Sequence, residues 1–415
     1  MSWLARLPPA LRRRDFASLW VAVLVLGLGG QMAAVAIGWQ VYAIHRDPLD
    51  LGLIGLMEFI PLPLLALPAG TLADRVSRRG ILAVSLVIDI AVMSALVAVS
   101  LSGARQLWPF LALAFATGVA GAIGAPPARA LTATLVPVEL IASAMALRSL
   151  AFQAAVVGGP ALGGVLFVVR PELAYGTSAA LCAAGLVCVL AVREPPVVRD
   201  PAAERVGLGS VLGGIHFIRS SPMLLGAISL DLFAVLFGGA VALLPLFARS
   251  ILHPGPIGLG VLRGAPAVGA IAAGLWLTRH PLERHAGRTL LVVVGAFGVS
   301  MVVFGLSRSL VLSLVALAVS GFVDMISMNI RGSAVAIGTP DAVRGRVLAV
   351  EMVFISASNE LGAFESGLAA KLFGAVTSVV AGGAVTIGLA LGWVRMFPAL
   401  SGIDRLDDVR PVPSG

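Results

Sequence analysis

Hydrophobic residues form long uninterrupted runs along this chain, and polar residues are concentrated in the short segments between them. Each run reaches or exceeds the roughly 20 residues that a helix needs to cross about 30 Å of hydrocarbon. Since backbone groups in lipid must be hydrogen-bonded within their own segment, each run is predicted to be a transmembrane α-helix. The predicted spans, numbered one to twelve, are residues 16–44, 52–72, 80–101, 106–134, 139–169, 173–192, 222–249, 256–278, 288–307, 310–336, 343–371 and 374–396.

The composition indicates that lipid is the solvent for most of the chain. Of the 415 residues, 59% are hydrophobic and 12% are charged, whereas a soluble domain has roughly 45–50% apolar and about 25% charged residues. A soluble protein must cover its surface with polar groups, so this excess cannot be hidden in a core. The predicted class is an all-α membrane protein. Cys182 and Cys188 share one apolar run, which favours packing residues over a disulfide or a metal site.

Basic residues are distributed unequally between the two sets of loops. The richer set comprises the segments 12–14, 75–79, 193–205, 279–288, 344–346 and 395–410. The positive-inside rule then places both termini in the cytoplasm. The same asymmetry accounts for the net charge of +8, so we expect no nucleic-acid partner. The first run is longer than the roughly 7–15 apolar residues of a signal peptide, so we expect it to be retained as span one.

A charged, proline-containing gap near residues 193–208 divides the spans into two groups of six. Just after this gap, Val211, Ile215 and Ile218 recur at helical spacing, which predicts a short interfacial helix. The expected domains are an N-terminal six-helix bundle, a cytoplasmic linker with this helix, and a C-terminal six-helix bundle with a short tail, at 1–192, 193–221 and 222–415.

The two halves also show a weak internal repeat at one constant offset. The aligned pairs are Pro137 with Pro340, Gly159 with Gly362, and Gly164 with Gly367. These pairs fall at spans five and eleven, where a six-plus-six duplication requires them. Internal repeats are typical of secondary carriers, whose substrate site lies near mid-membrane between the repeats.

The loop between spans two and three places one acid among several bases. Asp74 can pair with neighbouring arginines and interact with the positive N-terminal end of a helix, and such a cluster can lock one conformation. A simple topogenic loop is the alternative interpretation. The loop resembles the signature G-x-L-A-D-R-x-G-R-[RK] of the major facilitator superfamily at Gly70, Leu72, Ala73, Asp74, Arg75, Arg78 and Arg79.

This resemblance implies the major facilitator fold of two six-helix bundles. It also implies that the loop gates the cytoplasmic side. Ser77 stands where the family usually has glycine, a departure that concerns the tightness of the turn. The implied gating residues are Gly70, Asp74, Arg75, Arg78 and Arg79.

Span five contains a second motif of the same superfamily. Gly159, Pro160, Gly163 and Gly164 fit the G-P-x-x-G-G core of its antiporter motif, although Ala155 occupies the place of the usual upstream glycine. Small residues allow a close helix crossing, and proline removes one backbone hydrogen bond. The motif favours an export-type carrier, and an ordinary glycine-rich packing face is the alternative.

Three further stretches resemble the drug-efflux and enterobactin-exporter-like branch of the superfamily. They are Pro126 to Arg129, Pro137 to Ala144, and Pro340 to Val347. The resemblance implies proton-coupled export of amphipathic small molecules, either drugs or a siderophore, by alternating access in the cell inner membrane. It also implies a monomer whose partners are the substrate, protons and membrane lipid. A lysophospholipid flippase and an uptake carrier are the alternatives.

Ionisable side chains inside the spans are candidates for proton coupling, because each is costly unless it faces a cavity or a partner. In the superfamily, spans one, four, seven and ten line the cavity, which favours Asp231 and Asp324 over Asp89. Three others, Arg148, Arg331 and Glu351, lie near span ends, where snorkelling or surface pairing explains them. The proton-coupling candidates, in order of preference, are Asp231, Glu360, Asp324 and Glu58.

Polar, aromatic and sulfur-containing side chains are candidates for the substrate cavity. Asp324, Met328 and Arg331 fall on one face of span ten, which suits a large amphipathic ligand. An internally neutralised structural pair is the alternative. The cavity candidates are Gln31, Phe233, Phe237 and Met328.

A membrane-embedded enzyme is a further hypothesis, and the sequence does not favour it. It contains no constellation of His, Cys and Asp at the helical spacing of a metal site. It also lacks the nucleotide-binding pattern G-x-x-x-x-G-K-[ST]. We therefore expect no catalytic residues, no metal and no cofactor.

Overall fold

The computed structural model describes residues 8–65, 77–193, 208–280 and 284–405. Twelve segments in this part of the chain are helical, long and apolar enough to cross a membrane, which confirms the predicted number of spans, and the second of them continues beyond α2 to Leu65. No β-strand occurs among the described residues. The helices are α1 (Arg14–His45), α2 (Pro48–Phe59), α3 (Arg78–Leu101), α4 (Trp108–Thr134), α5 (Ile141–Val169), α6 (Pro171–Ala191), α7 (Pro222–Gly238), α8 (Gly255–Leu277), α9 (Ala286–Leu306), α10 (Leu310–Gly338), α11 (Asp341–Phe373) and α12 (Ala375–Met396).

The seventh span is the least regular. After α7 ends at Gly238, the chain continues through short 3₁₀, α and π turns as far as Ile251. Pro245 lies in this stretch, and its missing N–H prevents continuous α-helical hydrogen bonding there. Prolines also lie inside α4, α5 and α8, at Pro126, Pro127, Pro160 and Pro266.

The contacts divide the chain into two compact units. The first comprises Met1–Ile44, Met57–Val206 and Gly255–Val261, and the second comprises His45–Leu56, Gly207–Pro254 and Leu262–Gly415. Two short segments are therefore separated from their sequence neighbours. The start of α2 packs with the second unit, although the residues on both sides of it belong to the first, and the first turns of α8 pack with the first unit, although their neighbours belong to the second. The sequence analysis expected a single boundary between the two bundles, at residues 193–221, and did not expect either of these two segments to pack with the other unit.

In the first unit, α1 is held by α3 and α6 through apolar and polar contacts. Leu82 of α3 packs with Leu19 of α1 and Val189 of α6 in one buried cluster. Ser178 of α6 donates its hydroxyl to the Gly29 carbonyl of α1 at 2.9 Å. Hydroxyl groups buried in a helix interface are stable when they find such a partner, so this bond also fixes the register of α6 on α1.

In the same unit, α5 packs closely against α1 and the start of α8, because glycine occupies the contact points. A Cβ added at Gly163 would lie 2.8 Å from both the Cα and the carbonyl oxygen of Met32. A Cβ added at Gly164 would lie 2.5 Å from the carbonyl oxygen of Pro256. The span-five motif is thus a surface on which two other helices rest with backbone against backbone.

In the second unit, α7 lies against α9, α10, α11 and α12. Leu230 of α7 packs with Leu290 of α9 and Ile330 of α10 in a buried cluster that also contains Trp393 of α12. The Trp393 indole donates its N–H to the Gly226 carbonyl of α7 at 3.0 Å. The helix that carries Asp231 is therefore positioned from several sides.

The predicted linker helix is present and extends from Leu208 to Ser220. Phe217 and Ile218 are buried against residues of α7, α10 and α11, whereas His216 and Arg219 are exposed. A Cβ added at Gly214 would lie 2.9 Å from the Arg346 carbonyl oxygen at the start of α11. The apolar side of this helix thus packs on the protein.

The start of α2 is fastened to the end of α11 within the second unit. The Lys371 ammonium donates to Asp47 Oδ2 at 2.6 Å, and the Leu49 amide donates to Asp47 Oδ1 at 3.0 Å. A Cβ added at Gly367 would lie 2.9 Å from the Gly52 Cα, so the two backbones meet directly. These contacts are called the α2–α11 clasp below.

We expect Gly163→Ala to lower the free energy of unfolding by about 1–3 kcal/mol, because the added methyl group overpacks the crossing of α5 on α1. The matched control is Gly158→Ala on the same helix, where a Cβ would lie at an ordinary 3.5 Å from Leu28 Cδ2. Alanine's higher helix propensity makes that change neutral or stabilising by up to about 1 kcal/mol. The measurement is the midpoint of thermal unfolding of the purified variants in detergent. Equal midpoints for the two variants would contradict the close crossing.

We expect the contribution of the Asp47–Lys371 ion pair to stability to be lost in acid. Partial burial raises the pKa of Asp47, but the hydrogen bond and charge of Lys371 and the Leu49 amide outweigh it and hold the pKa below its ordinary value. A lowered carboxyl pKa contributes stability above the unfolded value, near 4, that disappears as the pH falls through the folded value. The side chains are 45% and 31% exposed, so solvent screening limits the contribution to about 0.2–1 kcal/mol.

The Asp47→Asn variant should therefore unfold at a lower temperature than the unaltered protein at neutral pH, and the difference should vanish in acid. The measurement is the unfolding midpoint as a function of pH. Lys371→Gln serves as the control, because Asp47→Asn should add little to a protein that already lacks the lysine. A difference that persists in acid would show that the ion pair is not its cause.

Candidate functional site

The described part of the gating motif forms the start of α3. Gly70, Asp74 and Arg75 lie outside the described residues. Ser77 is the N-cap of α3, and its hydroxyl accepts a hydrogen bond from the Gly80 amide at 2.9 Å. The serine that replaces the usual glycine therefore satisfies one of the unpaired N–H groups at the helix start.

Arg79 ties this helix start to the end of α6. Its guanidinium donates to the Val192 carbonyl at 3.0 Å, one of the carbonyls that a helix end leaves without an intrahelical partner. Next to it, the Arg193 amide donates to Asp15 of α1 at 3.0 Å. The arginine motif thus joins α3 to α6 at the end of the first unit where α1 begins. Its gating role stays a prediction.

The central charged feature of the second unit is a buried ion pair between α7 and α10. Arg331 Nη1 lies 2.5 Å from Asp231 Oδ2, and the two side chains are only 8% and 12% exposed. Arg331 Nε donates to Ser327 Oγ, one turn earlier on α10, at 3.2 Å. A buried pair needs such additional hydrogen bonds to offset the loss of hydration.

Two small cavities adjoin this pair, and Asp231 lines both of them. The first is also lined by Arg331, by Glu351 of α11, and by apolar side chains that include Phe354. The second is also lined by Asp324 and Ser327 of α10 and by apolar residues of α7 and α9. Carboxylates from three helices are therefore grouped around one guanidinium. These four residues, Asp231, Asp324, Arg331 and Glu351, are called the Arg331 cluster below.

The expectation that Arg331 snorkels or pairs at the surface is wrong, because its side chain is buried against Asp231. Glu351, assigned to the same group, lines the first cavity. Met328, which shares a helical face with Arg331 in the sequence, is 54% exposed. Helical spacing correctly placed Asp324 near Arg331. The signal that was missed is the pairing of Asp231 with Arg331, which requires knowing how α7 is rotated against α10.

Arg148 also has a specific partner. Its guanidinium donates to the Ala128 carbonyl at 2.6 Å and to the Thr132 hydroxyl at 2.8 Å. Both acceptors lie on the C-terminal half of α4. This side chain is therefore a connection between α4 and α5.

The remaining proton-coupling candidates lie apart from the Arg331 cluster. Glu360 of α11 lies against the start of α2, where a Cβ added at Gly55 would be 3.3 Å from Glu360 Oε2. Its charge interacts with that of Arg263 of α8. Glu58 of α2 belongs to the first unit, and its carbonyl packs directly on Gly118 of α4. Among the four candidates, the structure brings together only Asp231 and Asp324.

Three of the four cavity candidates, Gln31, Phe233 and Phe237, take part in helix packing. Phe233 and Phe237 of α7 stack with their ring centroids 6.4 Å apart, and Phe233 also meets the edge of Trp393 at 6.1 Å. In the first unit, a Cβ added at Gly159 would lie 2.6 Å from Gln31 Cβ. The contribution of these side chains to substrate binding stays a prediction.

Comparison with known proteins identifies relatives along the whole chain. The family model described as transmembrane secretion effector, of the major facilitator type, matches residues 5–409. The enterobactin exporter EntS of Citrobacter koseri is 26% identical over 423 aligned residues, which cover 100% of this chain and 98% of that protein. EntS of Shigella flexneri is 25% identical over 419 residues, with 99% and 97% covered.

Solved structures share the fold. A bacterial homologue of the human lysosomal transporter Spinster, in an inward-facing conformation, superposes with a TM-score of 0.74 at 15% identity and covers 95% of this chain and 99% of its own. The nucleoside transporter NupG superposes with a TM-score of 0.66 at 17% identity, with 92% and 98% covered. With the family match extending over nearly the whole sequence, this twelve-helix membrane protein belongs to the transmembrane secretion effectors of the major facilitator superfamily, a family of transporters and not of enzymes.

Proposed function

We propose that this exporter carries amphipathic small molecules, a siderophore or drugs, across the cell inner membrane in exchange for protons, by alternating access. The observation that carries the proposal is the buried pair of Asp231 and Arg331 beside two cavities. The substrate class is supported by relatives that are named as enterobactin exporters. Protons and the substrate are the only partners that the mechanism requires, and the monomer is the working unit.

Proton coupling follows from the cost of breaking a buried ion pair. When Asp231 is ionised, it compensates the charge of Arg331 in a region with little access to water. Protonation of Asp231 leaves the guanidinium uncompensated, which is strongly unfavourable unless another group moves to it. The two protonation states of Asp231 thus favour different arrangements of α7 and α10, and an equilibrium between two conformations can be shifted in this way.

The proposed orientation has both termini in the cytoplasm, as the distribution of basic residues indicates. The start of α3, with the hydrogen bonds of Arg79 and Ser77, then lies on the cytoplasmic side. The α2–α11 clasp lies at the opposite, outer end of the spans. In this arrangement the arginine motif gates the cytoplasmic side.

We expect a substrate to dissipate a pH gradient across everted membrane vesicles that contain the unaltered protein. A ΔpH-reporting dye is followed while a catecholate siderophore, macrolides and cationic drugs are added in turn. Asp231→Asn should reduce the dissipation to the level of vesicles without the protein, because asparagine cannot bind and release a proton. Glu365→Gln is the matched control, since Glu365 is a carboxyl of α11 that lines neither cavity, and it should retain the response.

A folding defect must be separated from a coupling defect, because Asp231→Asn leaves Arg331 buried without its partner. The double variant Asp231→Asn/Arg331→Gln removes both charges and should unfold at a higher temperature than the single variant, while staying uncoupled. If no compound dissipates the gradient and labelled substrate still moves down its own gradient, proton coupling is wrong. Activity that follows lysophospholipid instead would favour the flippase, and accumulation into intact cells would favour uptake.

A further inference from the structure

Arg331 faces two carboxylates that come from different helices. It pairs with Asp231 of α7, while Glu351 of α11 lines the same cavity. The Glu351 carboxyl interacts with the charges of both residues. It makes no hydrogen bond or ion pair with any residue that the structure describes. Arg331 is therefore paired with Asp231, while Glu351 lines the same cavity and has no hydrogen bond or ion pair of its own among the described residues.

The charges of the Arg331 cluster do not balance. It contains three carboxyl groups, Asp231, Asp324 and Glu351, and one guanidinium. Because like charges in a region of low dielectric constant oppose each other's ionisation, we expect at least one of the three carboxyl groups to carry a proton. Glu360 does not alter this balance, because it interacts with Arg263 of α8. On the other elements that pack against α7, the titratable residues are exposed: Arg288 of α9, Arg395 of α12, and His216 and Arg219 of the linker helix. On α11 itself, Asp341, Arg344 and Arg346 lie in the first turns, where Arg346 contacts the linker helix. Glu365 and Lys371 lie beyond Glu360 toward the other end of α11, and neither lines the two cavities.

We propose that Arg331 exchanges partners during transport, leaving Asp231 for Glu351 when a proton binds Asp231, so that Glu351 is a second proton-coupling residue. The step balances, because Asp231 gains one proton and Glu351 loses one as the guanidinium arrives. Before the exchange, Asp231 is ionised and Glu351 is protonated. Afterwards the states are reversed, and the cluster holds the same number of protons. This inference rests on the proposed coupling role of Asp231.

The local geometry suits such an exchange. The hydrogen bond from Arg331 Nε to Ser327 Oγ holds the inner part of the guanidinium at 3.2 Å, while Nη1 makes the pair with Asp231. Because Glu351 lines the same cavity as Arg331, it is the carboxyl group to which the end of the guanidinium would turn. Because Asp231 and Glu351 belong to α7 and α11, which pack on each other, the exchange changes the attraction between α10 and each of these helices.

The exchange can be tested without knowing the substrate, by labelling with dicyclohexylcarbodiimide. This apolar reagent adds to protonated carboxyl groups and leaves ionised ones unmodified. The purified full-length protein in detergent is labelled, and the adducts are measured by peptide mass spectrometry. In the unaltered protein we expect the label on Glu351 and not on Asp231.

Asp231→Asn is the decisive variant, because it releases Arg331 to pair with Glu351. Labelling of Glu351 should then fall by about tenfold, the change that about 1.4 kcal/mol of pairing energy makes in a protonation equilibrium. Glu365→Gln, on the same helix and outside the cluster, should leave the labelling of Glu351 unchanged. The double variant Asp231→Asn/Arg331→Gln has no guanidinium, so labelling of Glu351 should return to at least the level of the unaltered protein.

The exchange would be overturned by equal labelling of Glu351 in the unaltered protein and in Asp231→Asn, or by labelling of Asp231 in place of Glu351. If Asp231→Asn does not fold, the unaltered protein and the double variant still decide, because an exchange requires Glu351 to be labelled in both. The vesicle assay separates this result from the proposed function. A protein that dissipates no pH gradient contradicts proton-coupled export, whereas a coupled protein in which Glu351→Gln behaves like Glu365→Gln contradicts only the role of Glu351.

Discussion

Close contact between helix backbones is the physical condition on which this structure depends. Lipid is as apolar as a leucine side chain, so burial of apolar surface does not draw the spans together, and van der Waals contact must do so. Glycine makes this contact possible at several crossings. Gly163 lies against Met32, Gly321 lies against the Pro266 carbonyl, and Gly367 lies against Gly52. Substitution at these positions separates backbones, whereas substitution at an open glycine does not.

The same environment decides which charges can exist inside the spans. A membrane interior offers neither water nor counterions, so each ionised side chain needs a partner of opposite charge or a proton. Arg331 is paired with Asp231 and also donates a hydrogen bond to Ser327. Arg148 donates hydrogen bonds to the Ala128 carbonyl and the Thr132 hydroxyl of α4. The first arrangement is sensitive to protonation because a carboxylate can be neutralised, whereas a backbone carbonyl cannot.

The sequence was sufficient to predict the transmembrane spans, but it did not show which side chains pair between them. Twelve apolar runs predicted twelve helices, because the length and composition of a span follow from the thickness of the bilayer. The partner of Arg331 depends on the rotation of α7 against α10. Apart from Asp231, α7 is apolar on nearly all sides, so it carries no amphipathic pattern that fixes this rotation. The exchange of residues 45–56 into the second unit has the same origin, because it depends on the glycines of α2 and α11 meeting face to face.

Helix α11 connects three features of the second unit. Its first turns carry the linker helix at Arg346, its middle carries Glu351 beside Arg331, and its end carries the α2–α11 clasp at Gly367 and Lys371. No proline interrupts it between Asp341 and Phe373, and proline is a main cause of sharp kinks, so all three features lie on one continuous helix. Pairing of Arg331 with Glu351 would draw the middle of α11 toward α10. The glycine contact at the clasp leaves no room for the end of α11 to absorb that movement, so the start of α2 must move with it or separate from it.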